Sequence, residues 1–439
     1  MAEHRNHIKY KFKENPGDRI SKTFCALPWS HLHHWPDGRV YPCCLTDYRH
    51  PIGHVKDATL EELWNADRMK ELRKDKLEGK KHEHCAKCYL QEENGDESMR
   101  VASNRLMKDH LDTFVDTTEE DGHSNDFTLR YWDFRFSNLC NFKCRMCGSS
   151  LSSKWYKDEV DIFGQSENDR ALIHVNDWSK KNIYEYIDMF IEDVEEIYFA
   201  GGEPLMMEEH YMILEKLIEI GNTDTRIRYN TNFSMLKFKK WDVLELWSHF
   251  TKRNPLNVRI FASLDAMGDV AEYARSGTDW KKIEDNVRLA IDKGFHFDFS
   301  CTVSILNIFQ IPDFVDRMIE LGVQWHGVHL NNVLTFPRYY ALDTLPTDLK
   351  IKARDNLYNH LRKVPEFYKK QMKQKYDIIT KYFELDKGEV DKSKENGEMK
   401  NIVSLVDEYR KESFTTVYPY YKDWYDSIPD TNNKVKSNI

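Results

Sequence analysis

The sequence predicts an α/β fold built on a partial, open barrel of parallel strands, and two observations carry this prediction. From Phe127 onward, short apolar runs typical of strands alternate with segments of helical periodicity. Strands that alternate with helices of this length indicate βαβ units and a parallel sheet. There are roughly six such units, fewer than the eight of a closed barrel, so we expect a partial (β/α)6 TIM-like barrel. A small Cys-rich module precedes this barrel, and a helical, partly irregular extension follows it.

The elements of the barrel can be placed along the chain in order. Strands are expected at 128–139, 196–200, 226–232, 257–264, 296–304 and 325–333. Helices are expected at 183–194, 210–220, 241–250, 280–293 and 312–321. After 336 the periodicity weakens: 345–385 is expected to be helical, 386–400 to be a solvated linker, and the tail from Val403 is rich in aromatic residues.

These patterns divide the chain into four parts. We predict a polar arm at 1–24, a Cys-rich module with its connector at 25–126, the barrel at 127–336 and a C-terminal extension at 337–439. Within the module, the turn Pro36-Asp37-Gly38 predicts a hairpin, and the segment 57–65 has the pattern of a capped helix start.

Composition limits the class of protein. The 439 residues carry a formal net charge of -9, with 40% hydrophobic and 31% charged residues, which is typical of a globular protein. This mild acidity argues against an extended nucleic-acid interface. The N-terminal residues lack the apolar core of a signal peptide, and no segment is long and apolar enough to span a bilayer, so we expect a cytoplasmic protein with no membrane partner.

The most specific motif is a cysteine trio that directly follows the first predicted strand. Cys140, Cys144 and Cys147 have the spacing C-x3-C-x2-C. Three thiolates on one short loop can hold three irons of a cubane iron–sulfur cluster and leave the fourth iron without a protein ligand. A zinc knuckle is the alternative, but a closed zinc site requires a fourth ligand nearby and none follows for a long way.

Three further segments also stand at the ends of predicted strands. They are Gly201-Gly202-Glu203-Pro204, Asn230-Thr231-Asn232 and Ser263-Leu264-Asp265. In parallel α/β folds ligands gather at the carboxyl ends of strands. Their occurrence in order, at successive strand ends, therefore predicts one shared binding site with the cysteine loop.

On these motifs the region 128–335 resembles the radical S-adenosylmethionine (SAM) superfamily. The resemblance implies that Cys140, Cys144 and Cys147 bind a 4Fe–4S cluster whose open iron chelates SAM. It implies that one electron cleaves the sulfonium, and that the resulting 5′-deoxyadenosyl radical abstracts hydrogen from a substrate. The motif residues implied to contact the cofactor are Gly201, Gly202, Glu203, Pro204, Asn232, Ser263, Asp265 and Arg275. One position departs from the family pattern: the residue before the third cysteine, often aromatic, is Met146.

A second cysteine group lies near the N-terminus. It comprises Cys25, the adjacent pair Cys43 and Cys44, and the C-x2-C pair Cys85 and Cys88. On chemistry alone, zinc and an iron–sulfur cluster suit such a set of thiols equally well. The histidines around it are expected to be solvated or packing residues.

This second group resembles the twitch and SPASM modules, which hold an auxiliary 4Fe–4S cluster. The resemblance implies Cys25, Cys43, Cys85 and Cys88 as ligands, with Cys43 preferred to Cys44 because the family's cysteine follows Val-x-Pro. Such modules usually follow the radical domain, whereas here the pattern precedes it. The resemblance implies a flavodoxin- or ferredoxin-like electron donor and a peptide, protein or small-molecule substrate. The alternatives are a non-catalytic iron–sulfur electron carrier and a zinc-stabilised binding scaffold.

Overall fold

The computed structural model describes residues 20–93, 97–387 and 391–430. Most of the predicted polar arm at 1–24 therefore lies outside the described residues. The fold is mixed α/β, with mostly parallel strands, a Cys-rich N-terminal module and C-terminal helices, so the predicted fold class is confirmed. The chain forms two compact units: the first comprises residues up to Ser137 with His174–Gly201 and Met212–Ile227, and the second Asn138–Ile173, Gly202–Tyr211 and the residues from Arg228 onward.

The first unit contains five strands of sheet. They are β1 (His31–His34), β2 (Arg39–Tyr41), β3 (Gly53–His54), β4 (Tyr131–Phe134) and β5 (Glu196–Phe199). Their order is β5-β4-β1-β2-β3. The hairpin predicted around Gly38 is present, because β1 and β2 pair antiparallel, while β1 runs parallel to β4 with His31 opposite Tyr131. The Cys-rich module thus extends a parallel sheet through β1, which local sequence patterns did not indicate.

The first unit also contains helices and an apolar core. Their bounds are Leu60–Trp64, Asp67–Leu77, Ala86–Glu93, Met99–Leu106, Leu111–Asp116 and Ile183–Phe190. The predicted capped start is present, since Thr59 and Glu62 form a reciprocal capping box. The core includes Phe24, Trp29 and Phe114, and the Cys25 side chain is part of the same cluster.

The second unit contains the remaining parallel strands. They are β6 (Arg226–Thr231, most of which belongs to this unit), β7 (Val258–Ala262), β8 (His296–Val303) and β9 (Val328–Val333). Their order is β6-β7-β8-β9, and both β7–β8 and β8–β9 pair parallel. Its helices include Trp155–Phe163, Val243–Thr251, Gly268–Ala274, Trp280–Asp292 and Ile311–Glu320, and Glu208–Glu219 is divided between the units.

The predicted barrel elements are all present, with ends that differ by a few residues. The largest difference is at the first strand, which is limited to Tyr131–Phe134. Beyond the barrel, helices Thr347–His360 and Glu366–Lys381 agree with the helical region expected there. The linker predicted at 386–400 is wrong from Ser393 onward, because helix Ser393–Arg410 occupies it.

The helix Ser393–Arg410 forms because an apolar stripe continues past the charged segment. Met399, Ile402, Val403 and Val406 recur at helical spacing and are buried. After it the aromatic tail is packed: the rings of Phe414, Tyr418, Tyr421 and Tyr425 lie in contact distance of one another or of neighbours. Within the described part of the chain, no helix has the length and hydropathy needed to cross a membrane.

Candidate iron–sulfur sites

The cysteine loop follows β4 in the chain and is fixed mainly through its backbone. The indole of Trp155 donates to the Cys144 carbonyl at 2.8 Å, and the Ser152 hydroxyl donates to the Phe142 carbonyl at 2.5 Å. The buried Asn138 amide donates to two further carbonyls of this region. These bonds hold the loop through its carbonyl groups rather than through its sulfur atoms.

The three cysteines of the loop belong to one packed cluster. Cys140 and Cys144 are buried, Cys147 is half-buried, and all three pack with Phe142 and Met146. Burial raises the pKa of the Cys140 thiol to about 12. A hydrogen bond from Cys147, together with the nearby positive charge of Arg275, lowers the pKa of Cys144. The site therefore favours thiolate at Cys144, and positive charge is already placed beside it.

Arg275 is the source of that charge, and Asp265 orients it. The Arg275 guanidinium donates from Nε to Asp265 at 2.6 Å and from Nη1 to the Cys144 sulfur at 3.5 Å. A short antiparallel pairing sets Arg275 opposite Cys144. Asp265 is itself fixed, because its second oxygen accepts from the Thr302 backbone at 2.7 Å. Three predicted site residues thus meet at one point.

Glu203 is almost completely buried, with 1% exposure, and its carboxylate links two strand ends. Oε1 accepts from the Leu205 backbone at 3.0 Å and from the Thr231 hydroxyl at 2.6 Å, and Oε2 accepts from the Asn232 backbone at 2.7 Å. Burial nevertheless raises the pKa of Glu203 to about 7. With three of roughly four acceptor positions in use, Glu203 positions the neighbouring backbone, and its binding of a cofactor stays a prediction.

Asn232 connects this strand end to the cysteine loop. Its amide donates to Asn141 at 2.9 Å, and Asn141 donates to the Ser234 hydroxyl at 2.9 Å. Ser263 lies beside it, since its backbone donates to the Thr231 carbonyl at 2.7 Å, and its side chain is half-buried. Neither Asn141 nor Ser234 was identified from the sequence, although Asn141 stands inside the cysteine motif.

The glycines of the 201–204 segment are required by close approach. A Cβ at Gly202 would lie 2.3 Å from the Leu139 carbonyl oxygen, so only glycine allows the chain to approach the start of the cysteine loop. Gly201 has a positive φ of +84°. Pro204 is buried and begins a short 3-10 helix that Glu203 caps.

The cysteine loop is also held by groups in and just after helix Ser393–Arg410, which no sequence motif indicates. The Arg145 guanidinium is fully buried, forms ion pairs with Asp407 and Glu412, and lies 3.6 Å from the centre of the Tyr273 ring. Arg410 donates to the Lys143 carbonyl at 3.0 Å. Arg145 is visible within the motif, but its partners stand more than 260 residues away in the chain, so no local signal could identify them.

The second cysteine group also converges. Cys25, Cys43, Cys85 and Cys88 line one cavity of about 340 Å³, including its opening, whereas Cys44 is not part of that lining. Cys44 instead donates toward the Met99 sulfur at 3.6 Å. Burial raises the pKa values of Cys25 and Cys43, and the neighbouring cysteines raise them further. Burial also raises the pKa of Cys88. Buried thiols of this kind are suited to a cation that would hold them as thiolates.

Positive side chains stand beside this second group. Lys76 is fully buried and donates to the Tyr89 hydroxyl at 2.6 Å. Burial is the largest single influence on the Lys76 pKa and lowers it, but Cys85 and Tyr89 together outweigh burial, so the pKa is raised. Arg100 lines the cavity and pairs with Glu92 at 2.6 Å. These cations would offset the negative charge of four thiolates. Of the flanking histidines, His84 lines the cavity, while His31, His33 and His34 are buried in β1.

The spacing of the sulfur atoms bears on the choice between zinc and a cluster. Among the described residues, no three cysteine sulfurs all lie within 4.8 Å of one another. Thiolates around one tetrahedral zinc ion, with Zn–S of about 2.3 Å, would lie roughly 3.8 Å apart. By this criterion neither cysteine group has the three mutually adjacent sulfurs of a mononuclear zinc site, although Cys144 and Cys147 are hydrogen-bonded to each other.

Family models match both regions. The radical SAM superfamily model matches residues 134–322, and the SPASM model, an iron–sulfur cluster-binding domain, matches residues 25–89. The resemblance inferred from the sequence is thereby confirmed for both segments, including the N-terminal position of the SPASM domain. The predicted cofactors, a SAM-binding 4Fe–4S cluster with SAM and an auxiliary cluster, are likewise confirmed as cofactor classes. Which residues hold them stays a prediction.

Several solved structures are similar to the chain at low identity. The structure of anSMEcpe with bound AdoMet and Kp18Cys peptide is 18% identical, covers 52% of this chain and 57% of that one, and has a TM-score of 0.33. SuiB of Streptococcus suis is 13% identical, covers 70% of this chain and 60% of that one, and has a TM-score of 0.29. The chain thus spans less than two thirds of these proteins. No curated protein matches it.

Proposed function

We propose that this chain, which contains a radical SAM domain at 134–322 and a SPASM domain at 25–89, is an enzyme that cleaves SAM reductively and abstracts hydrogen from a peptide or protein substrate. When bound, the 4Fe–4S cluster supplies the single electron that splits the sulfonium. The observation that carries the proposal is the convergence of Cys144, Arg275 and Asp265 at the cysteine loop. A structural metal site has no need of an oriented guanidinium at its rim.

The role of Arg275 follows from its contacts. Asp265 fixes one edge of the guanidinium, and Nη1 faces the Cys144 sulfur. Nη2 makes no hydrogen bond to any residue that the structure describes, so we assign it to the carboxylate of SAM, for which a charge-assisted bond is the strong choice. Cys140, Cys144 and Cys147 would hold the three irons.

Glu203 and the strand ends complete the proposed cofactor site. The free acceptor position of Glu203 suits the SAM ammonium, as the family motif implies. Asn232 and the half-buried Ser263 hydroxyl stand at adjacent strand ends and suit the polar groups of the nucleoside. Gly201, Gly202 and Pro204 shape the turn that brings Glu203 there.

For the N-terminal module we propose an auxiliary 4Fe–4S cluster on Cys25, Cys43, Cys85 and Cys88. Four protein thiolates leave no iron open, which favours electron transfer over substrate binding. The electron donor proposed is a flavodoxin- or ferredoxin-like protein. The peptide or protein substrate is proposed only from the resemblance to auxiliary-cluster enzymes. We also propose 25–126 and 127–336 as the limits of the Cys-rich module and of the barrel domain.

Anaerobic reconstitution with iron and sulfide, followed by dithionite and SAM, tests the proposal. We expect 5′-deoxyadenosine from the parent protein and none from Cys144→Ala, which retains the N-terminal cluster. Cys44→Ala serves as the matched control, because this thiol stands outside both ligand sets and should leave cleavage unchanged. Absence of 5′-deoxyadenosine from fully iron-loaded parent protein would instead indicate an electron carrier, and zinc without iron or sulfide would indicate a scaffold.

A further inference from the structure

The second unit contains a further group of side chains that carry metal-ligating atoms, and none of them is a cysteine. His296 and Asp298 stand on β8, and His326 stands in the short 3-10 helix Trp325–Gly327 just before β9. One ligand atom from each of these three side chains lies within 4.8 Å of the other two. The imidazole rings of His296 and His326 are stacked, with 5.6 Å between their centroids. Neither the radical SAM nor the SPASM motif includes any of these residues.

Two of the ligand atoms are buried and face each other. Nε2 of His296 and Oδ1 of Asp298 are 3.2 Å apart, which is an ion-pair distance for a protonated imidazole, and neither atom makes a well-aligned hydrogen bond to a described residue. Asp298 is only 1% exposed. Poorly paired polar atoms in a buried place are costly. A cation bound to both atoms would replace the shared proton, and their separation is close to the spacing of two ligands on one metal ion.

The other oxygen of Asp298 is held from the opposite side. Arg259 donates to Oδ2 at 3.1 Å, and His329 contacts the same oxygen at 3.3 Å. Carboxylates that ligate metals are commonly hydrogen-bonded in this way through their outer oxygen, which fixes their orientation. Oδ1 is thus directed toward His296 while Oδ2 is occupied.

The backbone at the site is adapted to close approach. A Cβ at Gly327 would lie 2.6 Å from Oδ1 of Asp298 and 3.2 Å from the Phe297 carbonyl oxygen, so glycine lets the segment that carries His326 approach the carboxylate without displacing it. This contact brings the connection before β9 against β8 at the point where the three ligand atoms meet.

We propose that His296, Asp298 and His326 form a binding site for a divalent transition-metal ion of the zinc class. Two imidazoles and one carboxylate are ligands that suit zinc and its neighbours, and three protein ligands leave a position for water. Thr302, which contacts Asp265 at the cofactor end of β8, is four residues from Asp298, or roughly 13 Å along the strand. The ion would therefore join β8 to the connection before β9 and take no part in SAM cleavage.

The test uses the full-length protein with its clusters reconstituted, so that the cysteines are already occupied. Zinc is titrated in competition with a chromophoric chelator, and the zinc environment is read by X-ray absorption. We expect one additional zinc per chain, with nitrogen and oxygen neighbours at about 2.0–2.1 Å and no sulfur at about 2.3 Å. His326→Ala changes an exposed side chain and should weaken zinc binding by more than about 10-fold, since even loss of an outer partner costs about 10–100-fold.

His296→Ala should weaken zinc binding at least as strongly, and His249→Ala is the matched control. His249 is a half-buried histidine on helix Val243–Thr251, outside the site, and its replacement should leave zinc affinity unchanged. Iron content and SAM cleavage are measured in parallel to check that each variant carries its clusters, but only zinc binding tests the proposal. The proposal is overturned if the loaded protein takes up no further zinc, if sulfur dominates the zinc spectrum, or if both histidine variants bind as the parent does.

Discussion

Replacing Arg275 by alanine tests the proposed SAM site most directly. The guanidinium is 13% exposed and pairs with Asp265, which is 1% exposed. If Nη2 binds the SAM carboxylate, the variant loses one charge-assisted hydrogen bond, about 1.5–3 kcal/mol. That loss corresponds to a rise in the dissociation constant of roughly 10- to 150-fold.

The single substitution also has a structural cost, which has to be separated from the loss of binding. Without Arg275 the buried Asp265 carboxylate has no ionic partner, and breaking such a pair costs about 3–5 kcal/mol of stability. The double variant Arg275→Ala/Asp265→Asn removes the unpaired charge, while the asparagine oxygen still accepts from the Thr302 backbone. Stability should recover in the double variant, but SAM affinity should not.

The assay is calorimetric titration of cluster-loaded, unreduced protein with SAM, so that binding is measured without cleavage. Arg317→Ala is the control: Arg317 forms an ion pair with Glu284 at the same 2.6 Å distance, although this pair is more exposed, on helices that contribute nothing to the cysteine loop. It should lose stability and keep its affinity. If Arg275→Ala binds SAM within about twofold of the parent at equal iron content, the assignment of Arg275 is refuted.

Two further predictions concern the auxiliary site and the pH dependence of stability. Cys43→Ala should lose the iron of one cluster, whereas Cys44→Ala should keep it, because only Cys43 lines the cavity with the other three cysteines; equal iron in both variants would contradict this ligand choice. Burial raises the pKa of Glu203 from its usual 4.5 to about 7. Its contribution to stability is therefore complete below pH 4.5, is lost as the pH rises toward 7, and amounts to about 3 kcal/mol. Thermal unfolding of Glu203→Gln should lack this slope, and an unchanged slope would show that Glu203 ionises normally.

Much of the barrel was predictable because its signals are local. Strands such as Glu196–Phe199 and helices such as Trp280–Asp292 are specified by periodicity within a dozen residues. The helix Ser393–Arg410 was missed for the opposite reason. Its first residues are charged and include Asn396 and Gly397, and the buried stripe from Met399 onward is recognisable only when the window extends past them.

In the candidate site, too, the features set by neighbouring residues could be predicted, and the contacts between residues far apart in the chain could not. The cysteine motif could be identified because iron ligation requires thiols at a fixed spacing on one loop. The contacts that hold that loop could not be predicted from the sequence. The buried charge of Arg145 is compensated by Asp407 and Glu412, which lie near the far end of the chain. A buried arginine without those carboxylates would be strongly unfavourable. The geometry of the cysteine loop therefore depends on helix Ser393–Arg410 and on Glu412 just after it, even though neither contributes a residue to the motif.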